Sequence, residues 1–69
     1  MTLGERIKHL RLQEGKTLSE VGKAIGVSKQ TVSKYELGIV KNIPFKRIEK
    51  IAEYLNCPPL YLMNWENWE

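Results

Sequence analysis

The sequence contains one cysteine, Cys57, and one histidine, His9, so the residue types most used for nucleophilic chemistry and zinc binding are scarce. A structural zinc ion needs about four such ligands, and a single cysteine cannot form an internal disulfide. No glycine-rich phosphate loop is present, and no nucleophile stands beside an evident base. We therefore expect no catalytic activity, metal or cofactor. We expect His9 at the surface or the edge of the core, and Cys57 packed as a small apolar side chain.

The remaining polar chemistry of the chain is cationic. Eleven Lys and Arg residues against eight acidic residues give a formal net charge of +3. All the Lys and Arg residues lie within 1–50, whereas the charged residues of 51–69 are all glutamates. A basic body therefore precedes an acidic tail. Such a body favours polyanionic partners such as nucleic acid or an anionic membrane, although charge alone does not choose between them.

Length and composition predict one small folded domain over residues 1–69. The chain has 42% hydrophobic and 28% charged residues, close to the average of folded proteins. Typical domains have about 100 to 150 residues, which excludes a second one. A membrane span needs about eighteen or more apolar residues in a row, and neither such a run nor a secretory signal occurs. These features predict a soluble, cytoplasmic protein with no membrane partner.

Helix signals recur along the chain and predict an all-α bundle of five helices without strands. Two Ser/Thr-x-x-Glu capping boxes open the first two helices. The five start signals are, in order, Thr2, Thr17, Ser28, Pro44 in a first-turn position, and Pro58 with Pro59. Glycines that favour positive φ follow the first three helices, at Gly15, Gly26 and Gly38. Residues 64–69 lack a cap, and we expect a frayed tail there or the start of a linker to a further domain.

The segment from Ile25 to Ser28 joins the second and third predicted helices through a tight turn with glycine at its centre. Together with its flanking helices, the segment 17–38 resembles the helix-turn-helix of lambdoid phage repressors, Cro proteins and their bacterial relatives, the XRE family. The first helix and the runs 48–55 and 61–63 also stand where that family places its other helices. The resemblance implies a lambda-repressor-like fold that binds duplex DNA, with its third helix in the major groove.

The resemblance assigns DNA-contacting roles to two sets of residues. The base-contacting residues that it implies are Lys29, Gln30, Ser33 and Lys34. The phosphate-contacting candidates are Lys16, Thr17, Ser28, Thr31, Lys41 and Asn42. Their chemistry agrees with these roles, because glutamine pairs with adenine and lysine donates to guanine. The lysines and the serine of the first set also face away from the apolar pair formed by Val32 and Tyr35.

Four further positions are informative by comparison with the family. Gly22 stands where the family usually has alanine, and on helix propensity alone glycine costs up to ~1 kcal/mol. Leu18 replaces a glutamine that commonly bonds a phosphate. Arg11 and Glu36 occupy positions where related repressors place a partly buried ion pair, with two independent surface charges as the alternative.

Apolar residues are more numerous near the C-terminus than a short last helix needs. They are Leu60, Tyr61, Leu62, Met63, Trp65 and Trp68. They either close the base of the bundle or form a homodimer contact, for which we name Leu60, Tyr61, Met63 and Trp65, since the family binds pseudo-palindromic operators as dimers.

The sequence thus predicts a phage-type transcriptional repressor that binds a DNA operator. Two alternatives use the same residues. One is an antitoxin or a restriction controller protein with the same domain. The other is a protein-interaction module that binds an acidic partner such as an antirepressor.

Overall fold

The computed structural model describes residues 2–63 and contains five helices. They are α1 (Leu3–Gln13), α2 (Leu18–Ile25), α3 (Lys29–Glu36), α4 (Phe45–Tyr54) and α5 (Pro59–Leu62). No strand occurs in this part of the chain. The prediction of an all-α, five-helix fold is confirmed. The tail 64–69, for which we expected fraying or a linker, lies outside the described residues.

Local capping explains where the first helices begin. The Thr17 hydroxyl accepts a hydrogen bond from the Glu20 amide at 3.0 Å, and the Glu20 carboxylate accepts one from the Thr17 amide at 2.8 Å. Thr2 and Glu5 form the same reciprocal pair at the start of α1. Both predicted capping boxes are therefore present, and each satisfies two amides that a helix start leaves unpaired.

Pro44 differs by one position from the sequence-based prediction. It is the N-cap of α4 rather than a first-turn residue, with ψ at 141° outside the helical range. Its carbonyl accepts the amide of Ile48 at 3.1 Å, so the helix proper begins at Phe45. Pro59, in contrast, occupies the first turn of α5, where its missing N–H is not needed.

Each helix contributes a fully buried side chain to one core. These residues are Ile7, Val21, Val32, Ile51 and Leu62. Burying a side chain of this size contributes about 1.5 to 3 kcal/mol relative to leaving it exposed. The core therefore lies where all five helices meet, and α3 is anchored to it by one face only.

Two glycines allow helices to approach each other more closely than any side chain permits. A Cβ on Gly4 would meet the backbone oxygen of Tyr35, and that of Glu36 at 2.6 Å, so α1 rests against the end of α3. A Cβ on Gly22 would lie 2.6 Å from the backbone oxygen of Val27. Helix propensity alone predicts that glycine at position 22 makes the domain less stable than alanine would. In the structure, however, an alanine side chain there would require the turn between α2 and α3 to move.

Candidate nucleic-acid interface

Helix α3 has one anchored face and one polar face. Its buried face consists of Val32, Tyr35 and Glu36. Around the remaining surface Lys29, Gln30 and Lys34 are exposed, and Ser33 is half-buried. The structure thus brings the four residues implied as base-contacting together on the outer side of one short helix. Their amide, hydroxyl and ammonium groups are the donor and acceptor types that read base edges.

The turn before α3 determines the angle at which this helix stands on α2. Gly26 adopts the left-handed conformation at φ 81°, and the Gly22 carbonyl accepts the amides of Gly26 and Val27 at 2.8 and 2.9 Å. The next residue, Ser28, is the N-cap of α3. Because Gly22 has no side chain, the Val27 carbonyl lies against α2 at this point. The two helices are therefore joined by a tight, hydrogen-bonded turn and form a helix-turn-helix.

The hydroxyls named as phosphate candidates have structural partners. Ser28 Oγ accepts the Thr31 amide at 3.2 Å, and the Ser28 and Thr31 hydroxyl oxygens lie 3.1 Å apart. Thr17 Oγ1 accepts the Glu20 amide, as described above. A hydroxyl that accepts an N–H still carries its own proton, which it can donate to a phosphate oxygen. Capping and phosphate binding are thus compatible at Thr17.

The basic and amide candidates lie on both sides of α3. Lys16 precedes α2 and is half-buried, with its ammonium 5.3 Å from the centre of the Tyr54 ring. Lys41 and Asn42 are exposed in the loop between α3 and α4. None of these side chains forms an ion pair or a hydrogen bond with a carboxylate of residues 2–63. Their roles toward DNA stay predictions.

Arg11 and Glu36 form a buried ion pair with two hydrogen bonds. Arg11 Nε lies 2.6 Å from Glu36 Oε2, and Nη2 lies 3.0 Å from Oε1, with the two side chains 10% and 5% exposed. Arg11 Nη1 also donates to the Lys16 carbonyl at 3.0 Å. One guanidinium therefore connects α1, the end of α3 and the segment before α2. This arrangement fixes α3 relative to Lys16 and Thr17, which precede α2.

A second arginine contact was not anticipated from the sequence. Arg47 Nη1, on the first turn of α4, donates to the Tyr35 hydroxyl at 2.9 Å. Tyr35 lies in the core, as its pairing with Val32 predicts, and only 3% of it is exposed. The available signal was the hydroxyl, because a buried tyrosine usually finds a polar partner.

The apolar residues near the C-terminus divide into core and surface. Leu62 is fully buried and Met63 is half-buried, whereas Leu60 is 80% and Tyr61 38% exposed. The Arg6 guanidinium lies 4.6 Å from the centre of the Tyr61 ring. Trp65 and Trp68 fall outside the described residues.

Neither His9 nor Cys57 belongs to a reactive cluster. His9 is exposed, and Cys57 is half-buried against the core. Burial raises the pKa of the Cys57 thiol, and the Glu14 carboxylate raises it further, which disfavours the reactive thiolate. Residues 2–63 contain no group of three or more His, Cys, Asp and Glu side chains suited to a metal ion. No helix in the same range is long and apolar enough to cross a bilayer.

The sequence of the chain is similar to those of known helix-turn-helix proteins. The model of the helix-turn-helix family matches residues 7–62. The HTH-type transcriptional regulator SinR of Bacillus licheniformis is 32% identical over 62 residues, which cover 90% of this chain and 56% of that protein. An HTH-type transcriptional regulatory protein of Methanocella arvoryzae is 38% identical over 55 residues, 80% of this chain and 16% of the relative. The chain thus spans about half or less of these relatives.

Solved structures share the fold. SinR in complex with DNA superposes with a TM-score of 0.84 at 30% identity, over 91% of this chain and 100% of that one. The P22 c2 repressor bound to a synthetic operator gives 0.81 at 27% identity, over 90% and 92%. The SinR and SinI complex gives 0.85 at 28% identity, over 97% and 65%. The five-helix, lambda-repressor-like fold is therefore the one seen in these regulators.

Proposed function

The chain belongs to the XRE-type helix-turn-helix family, and from that premise we propose that it binds double-stranded DNA sequence-specifically as the DNA-binding domain of a transcriptional regulator. One observation carries the proposal: α3 is anchored by its apolar face and presents Lys29, Gln30 and Lys34 outward. A helix of this width enters the major groove of B-DNA. The named relatives that were solved with DNA, SinR and the P22 c2 repressor, support the same conclusion.

In the proposed complex, the first turn of α3 reads bases and the flanking segments hold phosphates. The Gln30 amide donates to and accepts from an adenine edge, and Lys29 or Lys34 donates to guanine. Lys16 and Lys41 bind DNA phosphates on either side of the helix-turn-helix. The candidate hydroxyls of Thr17, Ser28 and Thr31 and the amide of Asn42 bind phosphates beside them. Base contacts select sequence, whereas phosphate contacts set affinity and orientation. The protein works by occupying its site, with no catalytic step, and acts in the cytoplasm.

We further propose that the regulator is a phage-type repressor that binds a pseudo-palindromic operator as a homodimer. Two-fold symmetric dimers of such domains read half-sites about one helical turn, ~34 Å, apart. The dimer contact is formed by Leu60, Tyr61 and Met63, with Trp65 beyond the described residues. Leu60 supports this choice, because a leucine 80% exposed on a four-residue helix gains most from a partner surface. The SinR and SinI complex supports a regulatory protein as an additional partner.

Selection of bound duplexes from a random pool tests the proposal. A two-fold symmetric consensus with half-site centres about 10 base pairs apart is the expected result. The Gln30→Ala variant should lose preference at one base position per half-site, by ~1 to 3 kcal/mol, with its salt dependence unchanged. Lys23→Ala is a matched control, since Lys23 is exposed on α2 outside the proposed contact set. Recovery of duplexes without any consensus, or binding by no duplex, would contradict sequence-specific recognition.

A further inference from the structure

Arg47 is a basic residue outside the proposed contact set. It lies in the first turn of α4, is half-buried, and donates from Nη1 to the Tyr35 hydroxyl at 2.9 Å. The bond itself is only partly buried, so the guanidinium reaches the surface between α3 and α4. Tyr35 is rigidly held, because its ring is part of the core. The tyrosine therefore constrains where the guanidinium lies.

The charge of Arg47 is not neutralised by this contact. Its partner is a neutral hydroxyl, and no carboxylate of residues 2–63 lies within 4.0 Å of its nitrogen atoms. Arg11 is the contrasting case, with both oxygens of Glu36 on its guanidinium. An arginine has five N–H donors in a planar fork, and the tyrosine hydroxyl accepts one of them. A held cation with remaining donors has the chemistry of a phosphate-binding group.

The bond to Tyr35 places the Arg47 guanidinium beside α3. The amide of Ile39 donates to the Lys34 carbonyl at 3.0 Å and so closes the C-terminal end of α3 before the loop that leads to α4. That loop carries Lys41 and Asn42, which are exposed. The bond between Tyr35 and Arg47 connects the first turn of α4 to α3. Basic groups therefore follow α3 both in the loop, at Lys41, and in the first turn of α4, at Arg47.

We propose that Arg47 binds a DNA phosphate next to the groove occupied by α3, and that the Tyr35 hydroxyl is its positioning group. This inference rests on the proposed function, because it names a further contact of the same DNA interface. Arg47 supplies affinity through a charge-assisted, planar contact. Tyr35 acts through Arg47 and does not touch the nucleic acid.

The test measures binding to a fluorescein-labelled duplex of mixed sequence, about 20 base pairs or two helical turns long. Anisotropy titrations at salt concentrations from about 50 to 200 mM give both the affinity and its salt slope. For Arg47→Met we expect affinity about tenfold lower and a slope smaller in magnitude by about 0.9. Lys50→Met is the matched control, because it removes one exposed charge from the same helix, and its slope should remain that of the unmodified chain.

The positioning role has its own readout. Tyr35→Phe keeps the ring in the core and the charge on Arg47, so affinity should fall several-fold while the salt slope stays unchanged. In the Arg47→Met background, the same tyrosine substitution should have no further effect on binding. Circular dichroism verifies that each variant is folded. Arg47→Lys, which keeps the charge without the fork, replaces the methionine variant if that one does not fold, with lower affinity and an unaltered slope expected.

The outcomes separate this inference from the proposed function. Binding by the unmodified chain, with equal effects of Arg47→Met and Lys50→Met on the slope, would overturn the Arg47 contact alone. An unchanged affinity of Arg47→Lys would overturn it as well. A further loss on adding Tyr35→Phe to Arg47→Met would overturn the positioning role. Failure of the unmodified chain to bind any duplex would overturn both the contact and the proposed function.

Discussion

Replacing Glu36 by glutamine should remove much of the stability of the domain. Glu36 accepts two hydrogen bonds from Arg11, at 2.6 and 3.0 Å, and both side chains are nearly inaccessible to water. Glutamine keeps the shape of the side chain but leaves a buried guanidinium without its counter-charge. Breaking a buried pair in this way costs about 3 to 5 kcal/mol. A chain of this length is expected to have a free energy of unfolding of only about 3.5 to 10 kcal/mol.

The double variant Arg11→Met with Glu36→Leu distinguishes the net contribution of the ion pair to stability from the cost of leaving one buried charge unpaired. With both charges gone, no buried ion remains, so the double variant should be more stable than Glu36→Gln alone. Some stability will still be lost, because Arg11 Nη1 no longer donates to the Lys16 carbonyl, a hydrogen bond that contributes about 0.5 to 1.5 kcal/mol.

Urea denaturation followed by circular dichroism measures these differences. Glu49→Gln is the matched control, since Glu49 is exposed on α4 and its change should stay within about ±0.5 kcal/mol. A loss for Glu36→Gln below about 1 kcal/mol would refute the reasoning, because the pair would then behave like an exposed one. A double variant less stable than the single one would refute it as well.

Three other expectations follow from local geometry. Gly4→Ala should lower the free energy of unfolding by about 1 to 3 kcal/mol in urea denaturation, because its Cβ would meet the Tyr35 backbone oxygen; unchanged stability would contradict this. The hydrogen bond from the Thr17 amide lowers the pKa of Glu20, so its contribution to stability is complete above the ordinary carboxyl pKa and is lost as pH falls through the lowered value. Acid unfolding of Glu20→Gln, measured between those two pKa values, should therefore show a shallower dependence on pH, and an identical acid limb would count against the cap. Leu60→Asp should leave urea unfolding unchanged within about ±0.5 kcal/mol but abolish cooperative binding to two half-sites, and retained cooperativity would exclude this dimer contact.

Much of the fold could be predicted because its signals are local. Each capping box lies within four consecutive residues, and the structure shows both, at Thr2 and at Thr17. The same holds for Ser28 before α3 and for Gly26 after α2. Such motifs satisfy backbone groups within one helical turn, so they do not depend on the rest of the chain. The one-residue shift at Pro44 is of the size expected at helix ends.

The candidate interface was predictable only in part. The exposure of Gln30 and Lys34 follows from the helical period once the buried stripe is known. Arg47 had no such signal, because its partner Tyr35 lies twelve positions away on another helix. A tyrosine in an apolar stripe predicts burial, but its hydroxyl is satisfied by whichever donor the packing brings near.

By itself, the sequence determined where the helices begin to within about one residue and which face of each is apolar, because those properties depend on neighbours within about one turn. The order of the motif and its flanking helices along the chain also sufficed to indicate the family that it resembles. Tertiary structure alone decided between an ion pair and two separate charges for Arg11 and Glu36, which lie twenty-five positions apart. It also decided that α3 rests on a side-chain-free surface at Gly4 and that Tyr35 holds Arg47. These contacts depend on the distances and angles between packed helices, and no periodic pattern along a chain encodes those distances.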